Sequence, residues 1–333
     1  IHYIVSGKTG RLKRNSFLKL YPLRFTLYPI YYLAGPPSFV DDIAKMFQYI
    51  DKNDKNATAK AAEILSFETK MAIPRMTKEE RRDARKRYNP TAIKDLSKLT
   101  PSINWYFYLG GIGVKNIDTL IVGEPNYFIA LEELLKKTPI DQWKNYLKWT
   151  AINRNSNRLT MDMERLSWNF NEKILSGSKK QRPLNDRALQ VVNRTVGEAL
   201  GKLYVDEKFP PKAKENAAKM VQNLKLAYLN RIKNLTWMSD DTKEKAYEKI
   251  HKMTVKIGYP DKWRDYSSMI TKSPKEGGTF ASNMMEVSKW NYYDNLKDLG
   301  QPVDKTRWGM TPQTVNAYFS STFNEIVFPA AIL

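Results

Sequence analysis

The chain has 333 residues, 42% of them hydrophobic, with a formal net charge of +20 and no cysteine. This length and apolar content predict a globular protein with a substantial core, in one large domain or two smaller ones. The lack of cysteine excludes a disulfide framework, so the fold must depend on packing alone.

The excess of basic residues invites a nucleic-acid or anionic-surface function. Along the chain, however, basic residues alternate with acidic ones, as in Lys78–Asp83 and Lys243–Lys249, a pattern typical of solvated helix faces. The sequence contains no RNA-recognition, zinc-finger or helix-turn-helix signature. A basic helical nucleic-acid binder is therefore the least favoured alternative, and a positive cleft that attracts acidic peptides is equally compatible with the charge.

Residues 1–40 differ from the rest because they carry six basic residues and no acid before Asp41. The uncharged run 25–40 is too short and too rich in proline for a membrane-spanning helix. No small-residue cleavage site of a signal peptide is evident. We predict an irregular basic N-terminal arm, with membrane-surface attachment as the alternative.

From Asp41 onward the pattern is helical. Residues 57–73 predict an alanine-rich helix, Thr77–Glu80 reads as a capping box, and Thr138–Asp141 has the N-cap, proline and acid of a helix start. A stripe that recurs at three and four residues in this last helix is expected to be core. It consists of Trp143, Tyr146, Leu147 and Thr150.

The longest helix is predicted to begin at Pro210–Pro211, and a further helix from Asp240 is predicted to end at Gly258–Asp261. The glycine cluster Gly110–Gly113 lacks the spacing of a phosphate-binding loop and predicts a helix end. The apolar face expected for the longest helix comprises Ala217, Val221, Leu224, Tyr228, Ile232 and Leu235.

The C-terminus predicts a β-hairpin. Residues 314–319 alternate apolar and polar side chains as a half-buried strand does, 320–322 have turn chemistry, and a second apolar run follows.

The number and positions of the histidines exclude a zinc site of the peptidase type within these 333 residues. A zinc peptidase site of the His-Glu-x-x-His type needs two histidines four apart on a helix, with the glutamate between them acting as general base. The chain has only His2 and His251, and neither begins such a motif. These residues therefore do not supply a tetrahedral zinc site.

Several segments, in order along roughly residues 41–333, together resemble one family: the zinc metallopeptidases of the neprilysin and endothelin-converting-enzyme type, which include bacterial endopeptidase O. The segments are Ile121–Pro125, Trp143–Trp149, Asn193–Pro211, Leu235–Ala246, Lys256–Asp261 and Trp308–Leu333.

The resemblance implies a mainly α fold, a multi-helical cap domain with a short β-hairpin at its C-terminal end that belongs to an incomplete catalytic domain. We expect the basic arm at 1–40, which departs from the family, the helical peptidase N-terminal region at 41–309, and the start of the catalytic domain at 310–333. In the family the cap is thought to restrict access to short peptides.

The resemblance also implies that Asn316, Ala317 and Tyr318 bind substrate along the cleft. Asn316 would hydrogen-bond the peptide backbone through its side-chain amide, and Ala317 would offer its main-chain carbonyl. The alternative is that Asn316 merely satisfies a neighbouring loop. In the resembling enzymes the zinc ligands and the general base follow this segment, so we expect them beyond Leu333 and assign no catalytic, cofactor-binding or metal residue here.

We therefore predict the substrate-selecting, N-terminal portion of a zinc metalloendopeptidase that hydrolyses short peptides, not catalytic alone. The complete enzyme would hold zinc, and the expected partners are short peptides and the missing C-terminal catalytic portion. The alternative function is a non-catalytic peptide-binding or scaffold protein. A bacterial periplasmic or extracellular location is expected, with the cytoplasm as the alternative.

The hairpin would lack the helices that bury it in the resembling enzymes. We therefore expect Val327, Phe328, Ile332 and Leu333 to form an exposed apolar patch.

Overall fold

The computed structural model of the chain describes residues 2–5, 18–21 and 36–333. The helices are Pro36–Ile50 (α1), Ala57–Ala72 (α2), Trp105–Gly111 (α3), Pro125–Lys137 (α4), Ile140–Asn155 (α5), Met161–Trp168 (α6), Leu184–Thr195 (α7), Gly197–Lys208 (α8), Pro211–Lys233 (α9), Asp240–His251 (α10) and Phe280–Leu296 (α11). The strands are His2–Val5 (β1), Leu18–Tyr21 (β2), Pro90–Ala92 (β3), Thr119–Val122 (β4), Thr254–Gly258 (β5), Tyr318–Ser320 (β6) and Glu325–Pro329 (β7). The predicted mainly α fold is confirmed.

The chain divides into two compact units. Among the described residues, unit 1 comprises 2–5, 18–21, 36–181 and 270–301, and unit 2 comprises 182–269 and 302–333. Each unit is therefore assembled from segments that are far apart in sequence. The domain boundaries expected at residues 40 and 309 stay predictions.

Unit 1 contains a four-stranded sheet in the order β1-β2-β4-β3. Strand β2 pairs parallel with β4, and the two outer strands are antiparallel to their neighbours. Of the predicted basic arm, the described parts are β1, β2 and the first residues of α1. The remaining residues of the arm, and the membrane attachment considered for it, lie outside the described residues.

The larger core of unit 1 packs α2, α3, α4 and α5 around β4. Strand β4 is apolar and almost fully buried, as expected for a strand covered on both faces. Tyr146 of the predicted stripe lies in this core and Trp143 packs against it, whereas Leu147 is exposed. The stripe is thus core at two of these positions, because the helix face that meets α2 is narrower than the sequence pattern indicates.

A second core of unit 1 joins α1, α2, α5 and α6. Trp149 is fully buried there and contacts Phe39 edge-on, with ring centroids 6.2 Å apart. Phe170 also packs against Phe39, with ring centroids 5.2 Å apart. This aromatic cluster fixes α1 against α5, and rings in such geometries contribute about 0.5–1.5 kcal/mol per pair beyond area burial.

Two predicted helix signals have different outcomes. The capping box forms, since Glu80 N–H donates to Thr77 Oγ1 and Thr77 N–H donates to Glu80 Oε2. It caps only a single turn of 3₁₀ helix, Glu80–Arg82, and Asp83 is already extended.

The glycine cluster Gly110–Gly113 does end a helix, α3, as predicted, and Gly113 has a positive φ of 79°.

In unit 2, α9 begins at Pro211 as predicted and packs on one face of a three-stranded sheet. Ala217 and Val221 are buried against Ile257 and Phe328 of the sheet. Further along the predicted apolar face, Tyr228 is 63% exposed. The sheet is only five residues deep at β5 and β7, so it covers α9 as far as Val221; beyond it Leu224 and Tyr228 are exposed, whereas Ile232 in the last turn is buried.

The helix predicted to run from Asp240 to Gly258 is wrong in its second half. It ends at His251, and Thr254–Gly258 forms β5, which pairs parallel with β7 in register Thr254↔Glu325 to Gly258↔Pro329. The alternation Thr-Val-Lys-Ile has the β-branched residues of a strand. A tertiary partner 71 residues downstream, not a local signal, decides this conformation.

Asp42 of α1 is a buried carboxyl whose Oδ1 has no hydrogen-bond partner among the described residues. Burial raises the pKa of Asp42 to about 7, and the nearby charge of Lys45 lowers it only in part. Since the unfolded carboxyl titrates near 4, this group's contribution to stability is complete below about pH 4 and is lost as the pH rises through about 7.

We predict that Asp42→Asn removes this loss of stability at high pH. The free energy of unfolding of the variant, relative to the parent, should increase by about 2 kcal/mol between roughly pH 5 and pH 8. Urea unfolding followed by circular dichroism at both pH values measures it. Asp41→Asn, at the exposed neighbouring position, is the matched control. A pH-independent difference for Asp42→Asn would contradict the assignment.

Candidate functional site

The three predicted substrate-binding residues lie where the chain enters β6. Tyr318 is the first residue of that strand, Ala317 and Asn316 precede it, and the Asn316 side chain is exposed. The strand predicted for 314–319 is thus wrong at 314–317 and forms only from Tyr318 onward. The Asn316 N–H donates to the Thr314 carbonyl at 2.9 Å, which turns the chain and removes that N–H from any ladder.

Asn316 holds the backbone of its neighbour. Its Oδ1 accepts a hydrogen bond from the Ala317 N–H at 2.8 Å. This is the local role considered as the alternative for Asn316. The side-chain Nδ2, in contrast, has no acceptor in the part of the chain that the structure describes, so the amide donors of Asn316 face outward.

Strand β6 is an edge strand. The sheet order is β5-β7-β6, and β6 pairs antiparallel with β7 in the register Tyr318↔Val327, Phe319↔Ile326 and Ser320↔Glu325. The predicted hairpin is confirmed, with its turn at 321–324. Every second residue of an edge strand directs its N–H and C=O away from the partner strand. Within the described residues, the outer edge of β6 has no strand beside it.

A buried ion pair lies on the face of this sheet that is opposite to α9. Lys256 of β5 and Glu325 of β7 are 8% and 3% exposed, and Lys256 Nζ lies 2.8 Å from Glu325 Oε2. Lys256 Nζ also donates to the Arg307 carbonyl at 2.8 Å. The sequence analysis did not predict this pair. Two signals could have indicated it: Lys256 is a lone lysine inside an apolar strand, and Glu325 is an acid at the start of another.

The Tyr318 side chain extends the same network. Its hydroxyl donates to Glu325 Oε1 at 3.4 Å and accepts from the Gly309 N–H at 2.9 Å. Burial raises the pKa of Tyr318. A Cβ at Gly309 would lie 3.1 Å from that hydroxyl, so only glycine fits there without displacement. The side chain of Tyr318 therefore anchors the preceding segment, and only its main chain lies at the sheet edge.

The segment before Asn316 is fixed a second time, against α8. Gln313 Nε2 donates to the Gly197 carbonyl at 2.9 Å and to Asn193 Oδ1. The Pro312 ring packs so closely on α8 that a Cβ at Gly201 would lie 2.7 Å from its Cδ. These contacts position Asn316 independently of the hairpin itself.

The apolar patch expected at the C-terminus is wrong for two of its four residues. Val327 is fully buried and Phe328 is half-buried, while Ile332 and Leu333 are exposed. Strand β7 is the central strand of the sheet, with α9 covering the face that carries Phe328 and the 302–313 segment covering the other. The sequence of the hairpin alone does not show that α9 and the 302–313 segment cover it, so the exposure predicted for Val327 and Phe328 is too high.

The residues present do not fit a zinc site. His251 is an exposed residue at the end of α10, and among residues 2–5, 18–21 and 36–333 no group of three His, Asp or Glu side chains is arranged to hold a metal ion. In the same ranges no helix is both long and apolar enough to cross a membrane.

We predict that Lys256→Met destabilises unit 2 by about 3–5 kcal/mol, because it leaves the Glu325 carboxylate buried without its cation. Adding Glu325→Gln should recover much of this loss, since the glutamine still accepts from Tyr318 and carries no charge. Urea unfolding measures both.

The matched control is Lys202→Met, which removes an exposed pair with Asp206 and should cost less than about 1 kcal/mol. If the double variant is no more stable than Lys256→Met, the unpaired charge is not the cause.

Comparison with known proteins shows the family of the chain. Residues 36–260 match the family model described as peptidase family M13. The chain is 32% identical over 309 residues to neprilysin-3 of Drosophila melanogaster, and 30% identical over 312 residues to an endothelin-converting enzyme homolog of Locusta migratoria. These matches cover 89% of this chain but only 39% and 42% of the relatives.

Among solved structures, zinc metalloprotease ZMP1 of Mycobacterium tuberculosis, in complex with an inhibitor, superposes with a TM-score of 0.84 at 29% identity. The match covers 99% of this chain and 50% of that one. The PepO structure from Lactobacillus rhamnosis, at 21% identity and a TM-score of 0.83, shares the fold. The chain spans about half the length of these proteins or less. The chain belongs to peptidase family M13, whose enzymes are zinc metallopeptidases.

Proposed function

We propose that this chain is the N-terminal, substrate-selecting portion of a zinc metalloendopeptidase, binding short peptides without catalysing their hydrolysis by itself. The observation that carries the proposal is the outer edge of β6, with exposed Asn316 two residues before the strand begins. The family relationship supports a peptide as the ligand, and the edge supports the way in which it binds.

An extended peptide would add to β6 as a further strand. The outward N–H and C=O groups of β6 would pair with the peptide main chain, which provides affinity for many sequences. The Nδ2 of Asn316 would donate to a peptide carbonyl while its Oδ1 continues to hold the Ala317 N–H. The Ala317 carbonyl is the second proposed contact, and its small side chain allows a close approach.

Hydrolysis would require groups that these 333 residues lack. Zinc, when held by a His-Glu-x-x-His helix, activates a water for attack on the peptide bond. The chain's two isolated histidines do not form such a site. The proposed contribution of this chain is to hold and orient the peptide.

A non-catalytic peptide-binding or scaffold protein is the second candidate. Strand addition to the edge of β6 needs no metal ion, so the exposed edge supports this candidate as well. It would use the same edge of β6, so the two candidates differ in what happens to the bound peptide. The expected periplasmic or extracellular location remains a prediction for both.

We predict that Asn316→Asp weakens binding of a short fluorescein-labelled peptide with a central phenylalanine by about 3- to 10-fold, the equivalent of one hydrogen bond. Aspartate keeps the oxygen that accepts from Ala317 and loses the donors offered to the peptide. Fluorescence anisotropy on the 333-residue chain measures the Kd.

Asn223→Asp, an exposed position on α9, makes the same change of charge and is the control. In an added strand, every second N–H of the peptide bonds to β6 and the others point away. N-methylation of the first set should therefore abolish binding, and N-methylation of the second set should not affect it. Equal binding of both methylated peptides would overturn strand addition, and unchanged binding to Asn316→Asp would leave Asn316 with only its local role.

A further inference from the structure

Unit 1 contains a cavity of about 270 Å³ in its second core, between α2, α5 and α6. Its floor is formed by the buried side chains Glu68 and Trp149, and exposed Arg154 and Asn157 lie at its mouth. Ser167 and Asn171 line its wall. The volume is close to the lower end of the range for small-molecule sites. The candidate peptide-binding edge, in contrast, belongs to unit 2.

Glu68, at the floor of the cavity, has an unsatisfied carboxylate oxygen. It is 2% exposed, its Oε1 accepts from Trp149 Nε1 at 3.1 Å, and its Oε2 has no partner among the described residues. Glu132 shows the usual arrangement, with both oxygens bonded, to the Ser102 N–H at 2.9 Å and Oγ at 2.7 Å. A buried polar atom without a partner is uncommon and calls for an explanation.

Arg154, at the mouth, provides the opposite charge. Its guanidinium forms no ion pair with any residue in the described ranges. Burial raises the pKa of Tyr146, which also lines the cavity. The negative charge of Glu68 raises this pKa further, and the positive charge of Arg154 lowers it. Both charges therefore act on the same hydroxyl, and both residues line the same cavity.

The unpaired charge of Glu68 is costly in the absence of a ligand. Burial raises the pKa of Glu68 to about 7, and the Trp149 hydrogen bond opposes this only in part. A cationic group beside Oε2 would favour the ionised carboxylate. Charge-assisted hydrogen bonds in such surroundings are roughly twice as strong as neutral ones.

We propose that this cavity binds a small zwitterion of the α-amino-acid kind. The ammonium group would bind Glu68 Oε2 at the floor, and the carboxylate would bind the Arg154 guanidinium at the mouth. A planar guanidinium suits a carboxylate because it can donate two parallel hydrogen bonds. The amide and hydroxyl groups of Asn157, Asn171 and Ser167 favour a ligand with a polar side chain.

Isothermal titration of the 333-residue chain with three matched probes tests the proposal. The probes are L-glutamine, 4-aminobutanamide, which lacks its carboxylate, and glutaramic acid, which lacks its ammonium group. We expect saturable binding of glutamine, weakened about tenfold or more by loss of either charge. Glycylglycine, a zwitterion with more distant charges, distinguishes a free amino acid from the two ends of a short peptide.

Two variants identify the residues. Glu68→Gln retains the oxygen that accepts from Trp149, and Arg154→Met retains most of the aliphatic length. Each should weaken glutamine binding by about tenfold or more. Glu63→Gln, exposed on the same helix, and Arg165→Met, exposed on α6 and not in the lining, should leave it unchanged.

Several results would overturn the proposal. Failure of both glutamine and glycylglycine to bind would mean that the cavity holds only solvent. Equal affinity for glutamine and 4-aminobutanamide would remove the role of Arg154, and wild-type affinity in Glu68→Gln would remove that of Glu68. Because Glu68→Gln eliminates a buried charge, its melting temperature should not fall, so lost binding is separable from unfolding. The result is independent of peptide binding at β6.

Discussion

A buried ion pair between Lys256 and Glu325 is the constraint on which the arrangement of unit 2 depends. An isolated charge in a protein interior is strongly unfavourable, so both groups need partners with good geometry. Lys256 has the Glu325 carboxylate and the Arg307 carbonyl, and Glu325 also accepts from Tyr318. Satisfying these charges brings β5, β7, β6 and the segment before Asn316 into one network.

This network explains why an edge strand can be presented in a defined position. The segment 302–313 runs across the sheet because two of its backbone groups are bound there. Lys256 donates to the Arg307 carbonyl, and the Tyr318 hydroxyl accepts a hydrogen bond from the Gly309 N–H. Gln313 then ties the same segment to α8. With both sides fixed, the position of Asn316 follows from rigid neighbours, and this preorganisation reduces the conformational entropy that the segment itself would lose if a peptide paired with the edge.

Unit 1 uses buried acids in two different ways. Glu124 and Glu132 are buried but fully engaged, Glu124 with Arg75 and the Met76 N–H and Glu132 with Ser102 and Lys136. These acids fasten loops to helices. Glu68 and Asp42 each leave an oxygen unpaired, and burial raises the pKa of both. Groups of this second kind destabilise the folded state when they ionise and are therefore the acids in unit 1 that call for a functional reason.

How much the sequence determined differs between elements. The helices at Ala57, Ile140 and Pro211 and the C-terminal hairpin were predictable, because periodicity, proline and turn residues act locally. The family was also readable from short segments, whereas the substrate-binding role of Asn316, Ala317 and Tyr318 stays a prediction. Strand β5 was not, since its conformation depends on β7, 71 residues downstream. The Lys256–Glu325 pair and the anchoring of Tyr318 by Gly309 likewise join residues that no local pattern relates. Nor could the sequence show that Glu68, one acid on a charged helix, faces inward beneath Trp149. Only tertiary structure decided these features, because burial and the pairing of charges are properties of the assembled core and not of any one segment.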